Sequence, residues 1–329
     1  MEETNELEFD QKKARRTFSR VGFAMVGVVV ASTLVQILWS LGLQATGAEI
    51  STTWHAWLPT IVSYYLIAMP FGVLLLRGLP AKKPEDTPMS FKRLAILFCM
   101  GYAVMIGGGL IGTVLSFLLS GGQAVNNVAE LAQDTNPLKV LVVVILAPIL
   151  EEYICRKQLI DRMAIYGEKT AVVLSGLMFG LMHQNFYQFF GTFAFGVLLG
   201  YAYIRSGRLR YPVILHIVVN FIGSVIAPKM LEVMNMEELT ADTVGSLEEM
   251  MEIVLPRLPG MLAMYLYSMC ITGVIVFGTV MLIVRFKRAV WVTAPQELPR
   301  GRVFKTAYIN AGVIVYAALC LAFCILALF

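Results

Sequence analysis

Charged residues are scarce in this sequence. Only 15% of its 329 residues are Asp, Glu, Lys or Arg, whereas 58% are hydrophobic and the mean hydropathy is +0.73. Soluble globular domains carry about 25% charged residues, so this composition excludes an ordinary soluble domain and predicts a protein whose surface faces lipid. The net charge of +4 is too small to indicate a nucleic-acid partner, and we expect the bilayer to be the principal one.

Cysteine is also sparse. The five cysteines lie in or beside apolar runs, so they do not indicate the disulfide framework of a small secreted protein.

Nine apolar runs come close to the length of about 20 residues that spans a bilayer. They cover 21–43, 57–76, 94–119, 138–160, 170–187, 189–204, 211–227, 261–284 and 306–328. The sequence therefore predicts an all-α, polytopic integral membrane protein with about eight to nine transmembrane helices. The fifth and sixth runs are nearly continuous, which predicts either a tight helical hairpin or a partly re-entrant segment.

Positive charge falls almost entirely on one side of these runs. By loop assignment, 23 of the 26 Lys and Arg residues share the side of the N-terminus. Because cytoplasmic loops retain positive charge, we predict a cytoplasmic N-terminus and an external C-terminus. Compact loops and the lack of a targeting segment favour a bacterial plasma membrane. The predicted segments are a polar cytoplasmic tail (1–20), N-terminal helices (21–137), a central helical core (138–227), an acidic external loop (228–260) and C-terminal helices (261–329).

Ionisable side chains inside the apolar runs are few and need an explanation, because a charge at the bilayer centre is costly. The fourth run contains Glu151 and Glu152, followed by Arg156. Glu152 and Arg156 have the spacing of a helical ion pair. Glu151 projects about 100° away around the helix, so the same arginine cannot easily neutralise both acids. Glu151 is therefore the candidate reactive acid.

Two of the three histidines follow this acidic pair within apolar runs. His183 comes four residues after Phe179, and His216 comes four residues before Asn220, so each pair shares a helix face. A carboxylate and an imidazole can together deprotonate water, while a histidine and an amide can donate hydrogen bonds to an oxyanion. Two histidines and a glutamate could instead bind catalytic zinc. The pattern thus predicts hydrolysis and leaves the need for metal open.

In this order, Glu-Glu-x-x-x-Arg, Phe-x-x-x-His and His-x-x-x-Asn resemble the motifs of the CPBP family of intramembrane proteases, which joins type II CAAX prenyl endopeptidases to bacteriocin-processing enzymes. The resemblance covers roughly residues 138–227. It implies that Glu151 and His183 activate water, that His216 and Asn220 stabilise the oxyanion, and that Glu152, Arg156 and Phe179 support the site. We favour a site without obligatory metal; the zinc alternative would use Glu151, His183 and His216.

Motifs of other intramembrane hydrolases are missing. The sequence has no His-Glu-x-x-His, no Gly-x-Gly-Asp and no Gly-x-Ser-Gly. We therefore predict an intramembrane endopeptidase that cleaves a membrane-associated or prenylated protein or peptide. We expect its site to open toward the cytoplasm, because His216 closely follows Arg210.

Two other interpretations stay open. The same polar residues could line a proton-coupled transport path, since proton relays use these residue types. The protein could also be a non-proteolytic scaffold, such as one that confers immunity to a bacteriocin.

Overall fold

The computed structural model describes residues 10–47, 53–134, 136–233, 251–252 and 254–329, and all regular secondary structure in these ranges is helical. The first three long helices are α1 (Gln11–Thr46), α2 (53–75) and α3 (Phe91–Ser120). After the short α4 (Asn127–Gln133) come α5 (137–163), α6 (Glu168–Leu181) and α7 (Phe186–Ser206). The last are α8 (210–233), α9 (Leu258–Phe286), the short π-helical α10 (Phe304–Tyr308) and α11 (Ala311–Leu326).

Each predicted apolar run is mostly helical, although the runs 170–187 and 306–328 each cross a break between two helices, and the all-α polytopic class is confirmed. In the described ranges, six helices are long and apolar enough to cross a membrane, and the pair α10 and α11, bent by 59°, forms a seventh candidate. The runs 138–160 and 170–187 are not among them. The first carries an acidic and basic motif, and the second corresponds to the 14-residue helix α6. Of the predicted acidic loop, residues 234–250 and 253 lie outside the described residues.

The hairpin alternative for the fifth and sixth runs is the one that the structure adopts. Helix α6 ends at Leu181 and α7 begins at Phe186, so the predicted run 170–187 crosses a turn. The Asn185 side chain accepts a hydrogen bond from the backbone N–H of Gln188 and thereby caps α7. This cap starts a new helix where hydropathy alone shows a continuous run.

Glycines bring the helices of the core close together. A Cβ atom added to Gly108 of α3 would lie 2.2 Å from the backbone nitrogen of Gly191 in α7. Added to Gly176 of α6, it would lie 2.7 Å from the Val197 side chain of α7. These approaches match the close packing that small residues allow between membrane helices, and the four-residue spacings of Gly108 with Gly112 and of Gly176 with Gly180 in the sequence predict it.

The loop between α2 and α3 holds the start of α8. The N–H of Thr87 donates to the carbonyl of Ser206, and Arg208 donates to the carboxylate of Asp86. The hydrogen bond from Arg208 holds the pKa of Asp86 below its ordinary value. These contacts fix the beginning of the helix that carries His216 and Asn220.

Candidate active site

A buried ion pair on α5 organises the site. The Nε of Arg156 donates to Oε2 of Glu152 at 2.7 Å, and Nη2 donates to Oε1 at 3.2 Å, with both side chains fully buried. Arg156 also donates through Nη1 to the hydroxyl of Ser175 on α6 at 3.0 Å. Ser175 in turn donates to the carbonyl of Cys155 at 2.6 Å. The predicted pair is therefore present, and it ties α5 to α6.

His216 links this pair to the second glutamate. Its Nδ1 lies 3.1 Å from Oε1 of Glu152, and its Nε2 lies 4.0 Å from Oε2 of Glu151. The contact with Glu152 fixes the ring orientation, since a carboxylate accepts a hydrogen bond from Nδ1–H. Helices α5 and α8 thereby place one imidazole between two adjacent carboxylates.

His183 does not lie on a helix, in contrast to our expectation. It is in the turn after α6, where Gln184 has a φ of +55° and Asn185 donates from its amide to the His183 carbonyl at 2.7 Å. The His183 ring keeps its predicted relation to Phe179, because Nδ1 lies 2.8 Å from the Phe179 carbonyl oxygen. If Nδ1 carries the hydrogen and donates it to this carbonyl, Nε2 is left as the acceptor.

Phe179 packs between the Arg156 guanidinium and the two histidines. Its ring packs edge-on against His183 and His216, with centroids 5.0 and 5.5 Å apart, and the Arg156 guanidinium lies 4.7 Å from its centroid. The side chain is only 1% exposed. Its geometry is that of a packing residue with a cation–π contact.

The side chain of Asn220 on α8 contacts the backbone of α5. Its Nδ2 donates to the carbonyl of Val143 at 2.8 Å. This stretch of α5 is π-helical, and the N–H of Ala147 bonds to the carbonyl of Val142. Continuing the pattern would pair residue 148 with Val143, but Pro148 has no N–H. The Asn220 amide therefore satisfies a carbonyl that proline leaves open.

A polar cavity of about 240 Å³ lies beside Glu151 and His183. Besides these two residues it is lined by Met182 and Gln184, by Ser32, Thr33 and Gln36 of α1, and by Thr60, Tyr64 and Tyr65 of α2. His216 and Asn220 lie outside this lining. The structure thus brings the predicted water-activating residues to one cavity. The predicted oxyanion residues do not border that cavity.

The cavity lies toward the end of the helices that is remote from the arginine-rich loops. Gln36 follows Arg20 by 16 residues in α1, which corresponds to a rise of about 24 Å. His183 lies two residues after Leu181, the last residue of α6. This placement differs from our expectation of an opening on the basic, predicted cytoplasmic side. His216 is indeed close to Arg210 in sequence, but it does not line the cavity.

The zinc alternative requires Glu151, His183 and His216 to converge on one ion. In the part of the chain that the structure describes, no three His, Cys, Asp or Glu side chains are grouped so that they could hold one ion. Nδ1 of His183 contacts a backbone carbonyl and Nδ1 of His216 contacts Glu152. Zinc-binding histidines make the same Nδ1 contacts and bind the metal through Nε2, so it is the grouping of the side chains that disfavours zinc here.

Comparison with known proteins identifies the family of this chain. Residues 133–222 match the family model described as type II CAAX prenyl endopeptidase Rce1-like. The membrane-embedded CAAX protease MroQ of Staphylococcus aureus (strain USA300) is 31% identical over 173 residues, which are 48% of this chain and 70% of that protein. This chain belongs to the Rce1-like CAAX protease family. The family predicted from the three motifs is thereby confirmed.

A second relative of this CAAX protease family member is the "Putative membrane peptidase YdiL" of Bacillus subtilis (strain 168). It is 26% identical over 164 residues, or 47% of this chain and 66% of that protein. No solved structure matches the chain. All seven predicted site residues lie inside the region that matches the family model.

Sequence reasoning missed the contribution of α1 and α2 to the cavity. Tyr64 and Tyr65 gave no usable signal, because tyrosine is common in membrane helices. Ser32, Thr33 and Gln36 are polar residues near the middle of an apolar run, and Ser32 and Gln36 share a helix face. That polar stripe was the available signal. It lay far outside the motifs, so its relation to Glu151 required the packed structure.

Proposed function

We propose that this CAAX protease family member is an intramembrane endopeptidase that hydrolyses a peptide bond in a membrane-associated protein or peptide. The observation that carries the proposal is the polar cavity, bordered by Glu151 and His183, among membrane-spanning helices. Such a polar space among apolar helices can hold water at the depth where an unpaired carboxylate needs a function. Family membership supports the same class of reaction.

In the proposed reaction, Glu151 and His183 accept the proton of a water molecule whose oxygen attacks the peptide carbonyl. The resulting tetrahedral intermediate carries an oxyanion. Collapse of the intermediate breaks the C–N bond, and the proton passes from Glu151 or His183 to the leaving amine. The second proton of the water then passes to the amine, so the products are a carboxylate and an ammonium group, and atoms and charge balance without a co-reactant.

We propose that His216 and Asn220 stabilise the oxyanion by donating hydrogen bonds to it. Protonated at both ring nitrogens, His216 can donate from Nε2 while Nδ1 stays on Glu152. Asn220 carries two amide hydrogens and uses one for Val143, so the second is available. This role requires the substrate carbonyl to approach from the cavity past Glu151. Glu152 and Arg156 act as positioning residues, because they orient His216.

The substrate class follows from the site's depth. A bond that reaches Glu151 must belong to a chain that enters the membrane or is held at its surface, such as a prenylated or otherwise membrane-associated peptide. The relatives from Staphylococcus aureus and Bacillus subtilis support a bacterial plasma membrane as the location. The cytoplasmic N-terminus is part of this proposal and depends on the positive charge distribution.

The decisive experiment compares protein termini in membranes of cells that carry the wild-type chain, Glu151→Gln or Glu85→Gln, at matched abundance. Glu85 has an exposed side chain in the loop before α3, so its variant is a matched control. New termini should appear with the wild type and Glu85→Gln and be absent with Glu151→Gln. Identical termini in all three would reject proteolysis. Loss of proton flux in Glu151→Gln proteoliposomes would then favour the transporter.

We further propose that the reaction needs no metal, because the candidate ligands do not converge on one point. Purified protein should therefore keep its activity with a zinc chelator present. Loss of activity that added zinc restores would contradict this part of the proposal and leave proteolysis itself intact.

A further inference from the structure

A second cavity lies at the opposite end of the helices from the proposed active site. Its volume is about 810 Å³, within the range of about 300–1,000 Å³ that is typical of small-molecule sites. It opens between the first turns of α3 and α6 and the last turns of α7 and α9. We call it the basal groove. None of the residues proposed to act in catalysis lines it.

The walls of the basal groove are apolar. Ile96, Leu97 and Met100 of α3 face it from one side, and Met281 and Leu282 of α9 face it from the other. Such walls suit hydrocarbon chains. An apolar slot between membrane helices is accessible to lipid.

The rim, by contrast, is strongly basic. Five cations line the groove, and no acidic side chain does: Arg93, Lys169, Arg205, Arg285 and Arg288. Within the described ranges only Arg205 of the five forms a salt bridge, with Glu168. The Nε atom of Arg205 is buried and has no hydrogen-bond partner among the described residues. This buried N–H can hydrogen-bond to an oxygen atom of a ligand in the groove, while the other four cations supply the charge that favours an anion.

The segment after α9 is held against the groove by specific contacts. Glu168, which forms an ion pair with Arg205, also accepts a hydrogen bond from the N–H of Val292 at 2.8 Å. The hydroxyl of Tyr201 accepts from the N–H of Val290 at 3.3 Å, and its ring packs edge-on against Trp291. The rim is therefore built by tertiary contacts from three parts of the chain.

We propose that the basal groove binds one anionic phospholipid of the surrounding bilayer, with acyl chains along α3 and α9 and the phosphate among the arginines. Basic pockets between transmembrane helices on the cytoplasmic side favour anionic headgroups, and this is the side that the positive charge distribution predicts. The guanidinium fork suits phosphate oxygens. This inference does not depend on the proposed proteolysis.

The test uses native mass spectrometry of the full chain in mild detergent, titrated with phosphatidylglycerol or with phosphatidylcholine of the same acyl chains. The groove variant combines Arg93→Gln, Arg285→Gln and Arg288→Gln, which replace three exposed side chains. We expect the wild type to bind phosphatidylglycerol more tightly than phosphatidylcholine. The groove variant should lose roughly tenfold or more of its phosphatidylglycerol affinity, as the loss of three cations predicts.

The matched control combines Lys12→Gln, Lys13→Gln and Arg16→Gln. These residues are also exposed, lie on the same predicted side in α1 and do not line the groove, so lipid affinity should stay at the wild-type value. A separate Leu282→Trp variant fills the groove while keeping every charge, and it should weaken binding as well. Equal affinity for both lipids, or equal loss in the control, would overturn the proposal. Displacement of phosphatidylglycerol by a prenylated peptide would instead assign the groove to substrate.

Discussion

Arg156 is the residue on which the buried network depends. It donates three hydrogen bonds, to both carboxylate oxygens of Glu152 and to Ser175, and has no exposed surface. Removing one partner of a buried pair leaves an uncompensated charge, which costs far more than loss of an exposed pair. The spacing in the sequence predicted this ion pair. The additional contact of Glu152 with His216, 64 positions away, could not be predicted from spacing.

Replacing Arg156 should therefore destabilise the protein severely. We expect Arg156→Ala to lower the free energy of unfolding by about 3–5 kcal/mol, because Glu152 is left unpaired and buried. Ser175→Ala, which removes two hydrogen bonds and keeps the ion pair, should cost about 2 kcal/mol. Thermal unfolding in detergent measures both. Equal small losses in the two variants would show that the pair is not required for stability.

Asn220 has two separable tasks in this proposal, a contact with the Val143 carbonyl and donation to the oxyanion. Asn220→Ala should lower stability by about 1–3 kcal/mol, because a buried carbonyl loses its partner, and should also lower activity. Adding Pro148→Ala supplies a backbone N–H in the same turn of α5. The double variant should regain stability and stay inactive, as measured by unfolding and by peptide cleavage. Recovery of both would show that Asn220 is only structural.

Helix pairing is decided by small residues that are already visible in the sequence. The glycines at 108 and 112 predicted a close helix contact, but their partner helix could not be named from spacing. The structure shows that it is α7. A Cβ added at Gly112 would lie 2.0 Å from the Phe186 carbonyl oxygen, at the start of that helix.

The adjacent glycines Gly107 and Gly108 of α3 allow a test of this packing. Gly108→Ala should lower the free energy of unfolding by about 1–3 kcal/mol, because its Cβ meets the α7 backbone and the helices must separate. At Gly107 an added Cβ meets nothing within 4 Å. Gly107→Ala should leave stability unchanged or raise it by up to about 1 kcal/mol. Unfolding in detergent distinguishes them, and equal behaviour would argue against this helix contact.

At the scale of the whole molecule, the proposed active site and the basal groove face opposite ends of the helices. Cysteine labelling with a membrane-impermeant maleimide tests this arrangement in a background with Cys99→Ser and Cys270→Ser, since the other three cysteines are buried. Thr60→Cys, at the catalytic cavity, should be labelled from the face opposite to Lys12→Cys. We expect the Thr60 site to be external. Labelling of both cysteines from one face would show that the cavity opens on the basic side.

The sequence by itself determined the membrane environment, the helical class and the seven motif residues. These properties depend on local composition and on spacings of a few residues, which hydropathy and the helical repeat express directly. Packing decided the rest: His183 lies in a capped turn, α1 and α2 complete its cavity, and α3 and α9 enclose the basal groove. Those arrangements join side chains that are distant along the chain, and only the complementary surfaces of packed helices select which of them meet.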